Sequence, residues 1–259
     1  AKRIGVPVPK TIVPNGGLNP SEITGAMAFP CIVKPFQSTR FAEIYHKKVL
    51  IAHDAAQLFQ ALQDAKRHAI DVMISEIIPG ADTRLCHYRS YIDRRGNVLA
   101  EMCTRKVRQH PQGFGMASAA KTIPIIPEIR TQARKLLSAL GYRGESSAEF
   151  KWDPRDQQYK LIEVNVRPVL PEEHFAAAGV NFPQLAYQDL VKDFRRPVNR
   201  YVLDLYWVNN FHDTIGYIQR LGKKADHIGL KQFLMPYQRR HLVCVPFGDD
   251  PLPFIAALI

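Results

Sequence analysis

Three oxygen-bearing side chains, those of Glu149, Glu163 and Asn165, are spaced so that a β-hairpin would bring them together. The segments 147–152 and 159–165 are rich in aromatic and β-branched residues, and an Asp-Pro turn signal lies between them. This pattern predicts two antiparallel strands. Because strand side chains alternate between faces, the side chains of Glu163 and Asn165 are expected on one face. Carboxylate and amide oxygens are ligands that divalent cations such as Mg²⁺ accept.

The two acids of this hairpin would face each other. Strand pairing that is symmetric about Asp156 sets Glu149 directly opposite Glu163. Two carboxylates in that position repel unless a cation lies between them. A pair of divalent cations bound to phosphate oxygens would meet this requirement. The hairpin alone leaves a second interpretation open, in which the acids lie on an exposed face and are neutralised by lysine and arginine side chains.

Two lysines at the ends of predicted strands precede the hairpin. An apolar segment, 29–33, leads into Lys34 and a proline, which is a poor position for a surface lysine. The polar stretch 36–46 is predicted to be a flexible loop, and Lys48 follows it at the start of a predicted strand. Phosphate groups would attract these two lysines, although ordinary surface roles stay open for both.

The elements that must position these residues follow from periodicity. Strands are predicted around 84–92 and 98–105, joined by the turn signal at 93–97. Helices are predicted at 54–68 and 128–140, where apolar residues recur at helical spacing.

Six motifs occur along the chain in a fixed order. They are Phe29-Pro-Cys-Ile-Val-Lys34-Pro35, Glu76-Ile-Ile78-Pro-Gly80-Ala-Asp82, Arg105-Lys106-Val-Arg108-Gln109, Glu149-Phe150 with Glu163-Val-Asn165-Val-Arg167, Ala178-Gly179-Val180, and Asp250-Pro251-Leu-Pro253. Their order resembles the ATP-grasp superfamily, and the closer likeness is to its carboxylate–amine ligases of the D-aspartate ligase kind. The likeness extends over almost the whole chain.

The resemblance implies a fold and a reaction. The implied fold is α+β, with residues 1–75 as a small lobe and 76–193 as a large lobe that together clasp a nucleotide, and with 194–259 as a C-terminal extension. The implied reaction activates a carboxylate with ATP as an acyl-phosphate, which an amine then attacks. Because a further N-terminal domain precedes the segment 5–9 in this group, we expect that domain to be absent from the chain. A homodimer is compatible with the resemblance.

The resemblance also implies roles for individual residues. Two Mg²⁺ ions, which Mn²⁺ could replace, would bind Glu149, Glu163 and Asn165. Nucleotide contacts are implied for Lys34, Lys48, Glu76, Ile78, Asp82 and Lys106. Contacts with the reacting groups are implied for Arg167, Lys106 and Arg108. Simpler roles stay open, because Asp82 could stabilise a turn and Arg167 could pair with one of the glutamates.

One segment departs from the pattern of these ligases. Val166 stands where the family usually has proline, and two further prolines follow before Glu172, Glu173 and His174. This part of the family's site receives the amine, so a changed amine pocket is expected. Either these three residues recognise or deprotonate an ammonium group, or they belong to a solvated loop.

Composition indicates a globular protein in a reducing cytoplasm. Hydrophobic residues make up 46% and charged residues 23% of 259 residues, and no apolar run approaches the roughly 18 residues needed to span a bilayer. The four cysteines lack metal-like or disulfide-framework spacing. The net charge of +11 raises the possibility of a polyanion partner, but the basic residues are dispersed and no nucleic-acid motif is present. We therefore expect neither a nucleic-acid nor a membrane partner.

Three functions compete at this point. The first is an ATP-dependent carboxylate–amine ligase acting on small molecules. The second is a catalytically idle ATP-binding domain that serves as a sensor or scaffold. The third is a polyanion-binding module, which would bind DNA or RNA with strong salt dependence.

Overall fold

A computed structural model describes residues 1–14, 23, 25–221, 228–244 and 252, and the chain divides into two compact units. One unit is Pro7–Pro79, and the other combines Ala1–Val6 with Gly80–Ile259. Each unit contains both sheet and helix, so the α+β class is confirmed. The predicted lobe boundaries after residues 75 and 193 stay predictions, and most of the 250–253 tail motif lies outside the described residues.

The small unit is a four-stranded antiparallel sheet with helices. Its strands are β1 (Thr11–Ile12), β2 (Cys31–Pro35), β3 (Leu50–Ala52) and β4 (Val72–Glu76), in the order β1-β4-β2-β3. Its helices are α1 (Ser38–Tyr45) and α2 (Ala55–Arg67). The side chain of Asp54 caps α2 by accepting a hydrogen bond from the backbone N–H of Gln57 at 2.8 Å, as Asp commonly does at a helix start. Cys31, Val33, Phe41, Leu58 and Ile74 are among the residues of its core.

The prediction of a flexible loop at 36–46 is wrong in part, because most of this stretch forms α1. Phe41 is fully buried, and the ring of Tyr45, four residues later, lies 4.5 Å from it between centroids. Residues four apart share one face of a helix, so this pair anchors α1 to the core. Lys48 is exposed in the connection that follows, and β3 begins only at Leu50.

The large unit is built on a seven-stranded sheet. Its strands are β5 (Leu85–Ile92), β6 (Val98–His110), β7 (Met116–Ile123), β8 (Gly144–Asp153), β9 (Gln158–Asn165), β10 (Tyr206–Val208) and β11 (His241–Val243), in the order β11-β10-β7-β6-β5-β8-β9. Its helices are α3 (Pro127–Ala139), α4 (Glu172–Ala177), α5 (Phe182–Leu190), α6 (Asn210–Arg220) and α7 (Leu230–Leu234). β10 and β11 come from the predicted C-terminal extension, which therefore completes this sheet.

The predicted hairpin forms, and an extra residue sets its register. Phe150 in β8 opposes Leu161 in β9, whereas Glu149 opposes Glu163, so Ile162 is the extra residue of a β-bulge. The predicted opposition of the two glutamates is confirmed, but it arises from this bulge rather than from symmetry of the turn. Without the bulge, the side chain of Glu163 would point to the other face of the sheet.

Helices cover both faces of the large sheet. Tyr88 in β5 donates a hydrogen bond to Glu101, which also accepts two from Arg134 of α3 at 2.7 and 2.6 Å. Arg89, the next residue, points to the opposite face and donates to Glu172 of α4 at 2.8 Å. None of the helices in the described part of the chain is long and apolar enough to cross a membrane.

Candidate nucleotide and metal site

The centre of the candidate site is a row of side chains across three strands. His87 in β5 opposes Glu149 in β8, which in turn opposes Glu163 in β9. Glu149 is only 8% exposed. Its Oε2 atom lies 3.2 Å from Nζ of Lys106 and 3.1 Å from Nε2 of His87. A buried carboxylate needs such partners, because an unpaired buried charge lowers the free energy of unfolding.

His87 contributes a hydrogen-bonding group more than a charge. Burial lowers the pKa of His87, and this effect exceeds the opposing influence of the Glu149 carboxylate. The imidazole is therefore neutral near pH 7. Lys106 is therefore a cation that balances the charge of Glu149.

A chain of polar contacts extends from Lys106 to Asp82. Lys106 Nζ donates to Oε1 of Gln109 at 3.3 Å, and Nε2 of Gln109 donates to Oδ1 of Asp82 at 2.7 Å. Lys106 and Gln109 are buried, which fixes their positions. The Asp82 carboxylate also lies 4.0 Å from the guanidinium of Arg220, and among the described residues no neighbouring backbone N–H donates to it, as a turn-stabilising role would require.

Glu163 and Asn165 form the exposed end of the site. Glu163 is exposed and Asn165 is half-buried, and Nδ2 of Asn165 donates to Oε1 of Glu163 at 2.9 Å. The amide oxygen of Asn165 therefore points away from this hydrogen bond and is available as a ligand. Together with Glu149, these side chains supply the hard oxygen donors that Mg²⁺ prefers.

A metal ion at this site would need more than protein ligands. Within the described ranges, no group of three or more His, Cys, Asp or Glu side chains is arranged to hold a metal ion. Mg²⁺ commonly binds through one or two carboxylates and completes its shell with water and substrate phosphates. The residues present fit that mode of binding.

The two arginines with predicted catalytic roles differ in their surroundings. Arg167 lies beyond the end of β9, is exposed, and donates to the carbonyl of Pro168 at 3.1 Å. In the part of the chain that the structure describes, it has no ion pair with either glutamate. Arg108 is buried and donates to both carboxylate oxygens of Asp213 in α6, at 2.8 and 2.6 Å. Because this guanidinium is already paired with Asp213 inside the fold, we do not retain Arg108 in the proposed catalytic set.

The predicted nucleotide contacts of the small unit lie on or beside its central strands. Lys34 is half-buried in β2 opposite Met73 of β4. Glu76 ends β4, where its Oε1 atom accepts a hydrogen bond from the backbone N–H of Lys10 at 2.8 Å. Ile78 is buried just beyond this strand.

The segment that departs from the family pattern begins helix α4 and is not a solvated loop, although Glu173 within it is exposed. Glu172 accepts from Arg89 and from the backbone N–H of Val169, and Glu173 accepts from Nε1 of Trp207 at 2.5 Å. His174 is fully buried, with Nε2 within 2.9 Å of the carbonyl oxygen of Leu205. Burial lowers the pKa of His174 to about 4. These residues attach α4 to the sheet.

Sequence reasoning missed His87, Gln109 and Arg89. A weak signal existed for two of them, because His87 and Arg89 alternate along a predicted strand and so share a face. The neighbours of these side chains depend on the pairing of β5 with β8, and the local sequence pattern does not predict this strand order. Gln109 lies next to two register shifts in β6, which alternation does not predict.

Comparisons with known proteins bear on this site. Residues 2–181 match the family model described as "Carbamoyl-phosphate synthase L chain, ATP binding domain". The chain belongs to this family. It is also 24% identical over 205 residues to D-aspartate ligase of Enterococcus faecium (strain Aus0004), an alignment that covers 74% of the chain and 47% of the ligase. The chain thus spans less than half the length of that relative.

Two solved structures share the fold of this family member. The ADP complex of an N5-carboxyaminoimidazole ribonucleotide synthetase gives a TM-score of 0.62 at 14% identity, covering 92% of this chain and 67% of that one. The biotin carboxylase domain of Hydrogenobacter thermophilus 2-oxoglutarate carboxylase, solved with MgADP and bicarbonate, gives 0.58 at 17% identity, covering 79% and 46%. Both are ATP-grasp proteins, so the predicted ATP-grasp fold is confirmed.

Proposed function

We propose that this protein is an ATP-dependent ligase that activates a carboxylate as an acyl-phosphate and joins it to an amine, with release of ADP and phosphate. The observation that carries the proposal is the opposition of Glu149 and Glu163 beside the buried Lys106. Membership of an ATP-binding family and the likeness to D-aspartate ligase support the same class of reaction. The substrates are ATP, a small carboxylate and a small amine.

Glu149, Glu163 and Asn165 hold the metal in this proposal. When bound, Mg²⁺ supplies positive charge to phosphate oxygens during phosphoryl transfer. The protein's own contribution is to fix these ligands on adjacent strands. Lys106 and His87 hold the Glu149 carboxylate in a fixed orientation before the nucleotide binds.

Lys106 and Asp82 bind other parts of the nucleotide. The ammonium of Lys106 is fixed by Glu149 and Gln109, and from this position it neutralises negative charge that develops on the transferred phosphoryl group. Asp82 keeps carboxylate lone pairs beyond its hydrogen bond with Gln109, and these accept from ribose hydroxyls.

The small unit contributes the remaining nucleotide contacts. Lys34 and Lys48 add positive charge for the phosphates. The backbone N–H of Glu76 already donates to the carbonyl of Lys10 at 3.0 Å, so in this proposal Glu76 offers its carbonyl group and Ile78 its N–H group to adenine. Among the described residues, Ile78 forms no backbone hydrogen bond, which leaves its N–H and C=O groups able to bind a base.

Arg167 binds the carboxylate that is activated. Its exposed guanidinium presents the planar fork of donors that matches paired oxygens. As the acyl-phosphate forms, the same group stabilises charge on the carboxylate oxygens. The amine then attacks the acyl carbon and phosphate leaves.

The test is ADP formation with panels of amino acids supplied as acid and amine. We expect ADP release with at least one pair in the wild type and a loss of about 100-fold or more in Glu163→Gln, because the variant removes a charged ligand at unchanged shape. Asp156→Asn is the matched control, since it removes one acid from the turn of the same hairpin. Undiminished turnover in Glu163→Gln would overturn the metal assignment, and ATP binding without ADP release from any pair would favour a catalytically idle domain.

A further inference from the structure

A groove in the large unit lies between α5 and the segment 194–200. Its volume is about 660 Å³, which is within the range of small-molecule pockets. We call it the arginine groove, and its polar wall consists of Asn181, Gln184, Gln188, Arg196, Asn199 and Arg200. No residue of the arginine groove belongs to the cluster around Glu149, so it is a separate feature of the unit.

The segment that forms one side of the arginine groove is held in place along its length. Nε of Arg195 donates to Asp189 of α5 at 2.6 Å. The backbone N–H of Val198 donates to the carbonyl of Leu99 at 2.7 Å, and Ala100 and Val198 form a parallel bridge. The wall is therefore attached both to the helix and to the sheet, which makes the groove a built feature of the fold.

The charge of the arginine groove is positive and unbalanced. Arg196 and Arg200 are both exposed, and within the described ranges neither forms an ion pair or a side-chain hydrogen bond. Their neighbour Arg195, in contrast, is paired with Asp189 and Asp193. The residues that line the groove include no Asp or Glu. Two guanidinium groups without a counter-charge attract an anion.

The other residues of the arginine groove indicate what kind of chemical group would carry the anionic group of a ligand. Leu185, Phe194 and Val198 contribute apolar surface beside the arginines, and Phe194 is 52% exposed. The amides of Gln184 and Gln188 add neutral donors and acceptors along α5. A pocket with an apolar wall and a few charged groups suits a ligand with an apolar body and a charged end.

We propose that the arginine groove binds a small organic anion, a carboxylate or a phosphate ester carried on an apolar body. Its anionic group binds between Arg196 and Arg200, and its apolar part packs against Phe194. The inference concerns a site distinct from that of the proposed ligase reaction and does not depend on it.

Calorimetric titration of the full chain with benzoate and with phenyl phosphate tests this site, with benzamide as the neutral control. We expect one anion to bind per chain and benzamide not to bind. The double variant Arg196→Gln/Arg200→Gln is expected to weaken anion binding at least about tenfold, because two charged hydrogen-bond donors are lost. The anion that binds more tightly identifies the ligand as a carboxylate or as a phosphate ester.

The matched control is Arg3→Gln/Arg95→Gln, which removes the same charge from two exposed arginines outside the groove. Its affinity for the anion should equal that of the wild type. Equal affinity in the groove variant and the wild type would overturn the proposal, as would the absence of binding of both anions at millimolar concentrations. All variants change exposed side chains, and unchanged thermal unfolding midpoints would verify their folding.

Discussion

At the scale of single residues, charge balance determines what the edge of the large sheet can bind. Glu149 and Glu163 carry two negative charges on adjacent strands, and Lys106 supplies one positive charge. Burial lowers the pKa of His87, which keeps this neighbour neutral near pH 7. The two opposed carboxylates are hard oxygen donors of the kind that a divalent cation binds.

His174 makes the stability of the fold depend on pH. Its pKa falls from an ordinary value of 6.5 to about 4 because burial disfavours the charged imidazole. The folded state thus binds the proton less readily than the unfolded state. The contribution of His174 to the free energy of unfolding is expected to be constant above about pH 6.5 and to fall by roughly 3 kcal/mol as the pH drops towards 4.

Urea unfolding between pH 7 and pH 4 measures this effect in wild type and in His174→Gln. Glutamine keeps a donor for the carbonyl of Leu205 but does not titrate, so the variant should lose less stability across this window. The exposed His53→Gln is the control and should follow the wild type. Parallel curves for wild type and His174→Gln would contradict the buried neutral histidine.

Residue types and spacing were sufficient to predict the acids of the site and their opposition, but not their partners. Glu149 and Glu163 were found because strand alternation and hairpin pairing are local rules. His87 and Gln109 come from strands whose neighbours are decided by the whole sheet. Arg108 fits the family motif, yet its role depends on Asp213, which lies 105 residues later.

At the scale of elements, a buried ion pair attaches the C-terminal helices to the large sheet. Arg108 of β6 binds Asp213 of α6 through two hydrogen bonds, and it also donates to the carbonyls of Gln232 and Phe233. Ser118 of β7 adds a hydrogen bond to Asp213 at 2.9 Å. The strand and the helix are thus joined through one carboxylate.

Arg108→Met is expected to destabilise the protein by about 3–5 kcal/mol, because Asp213 would remain buried without its cation. The double variant Arg108→Met/Asp213→Leu should recover part of this loss, since no buried charge is left unpaired. Urea unfolding of both variants and of each single substitution measures the coupling. Additive effects of the two substitutions would contradict a direct ion pair.

Predictions of helices and strands were correct where one local sequence pattern determines the secondary structure, and they were wrong where tertiary packing determines it. The strand β5 and the helix α2 lie close to their predicted ranges, since alternation and helical spacing are strong there. The strand β6 begins at Val98 as predicted but continues to His110, beyond the predicted end at residue 105. The stretch 36–46 looked like a loop because it is polar, but burial of Phe41 makes it a helix. The bulge at Ile162 likewise results from strand pairing in the sheet, and the local sequence pattern does not predict it.

At the scale of the whole molecule, the central claim is a magnesium-dependent nucleotide site. The family assignment covers residues 2–181, which include every residue of that site. The proposed set includes Lys34 and Ile78 together with Glu149 and Glu163. Binding of a nucleotide therefore tests the account as a whole.

Calorimetric titration of a non-hydrolysable ATP analogue into the chain, with Mg²⁺ and with EDTA, tests this claim most directly. We predict binding of one nucleotide per chain that is at least about tenfold tighter with Mg²⁺, and loss of this metal dependence in Glu163→Gln but not in Asp156→Asn. Equal affinity with and without Mg²⁺, or no binding under either condition, would contradict the account.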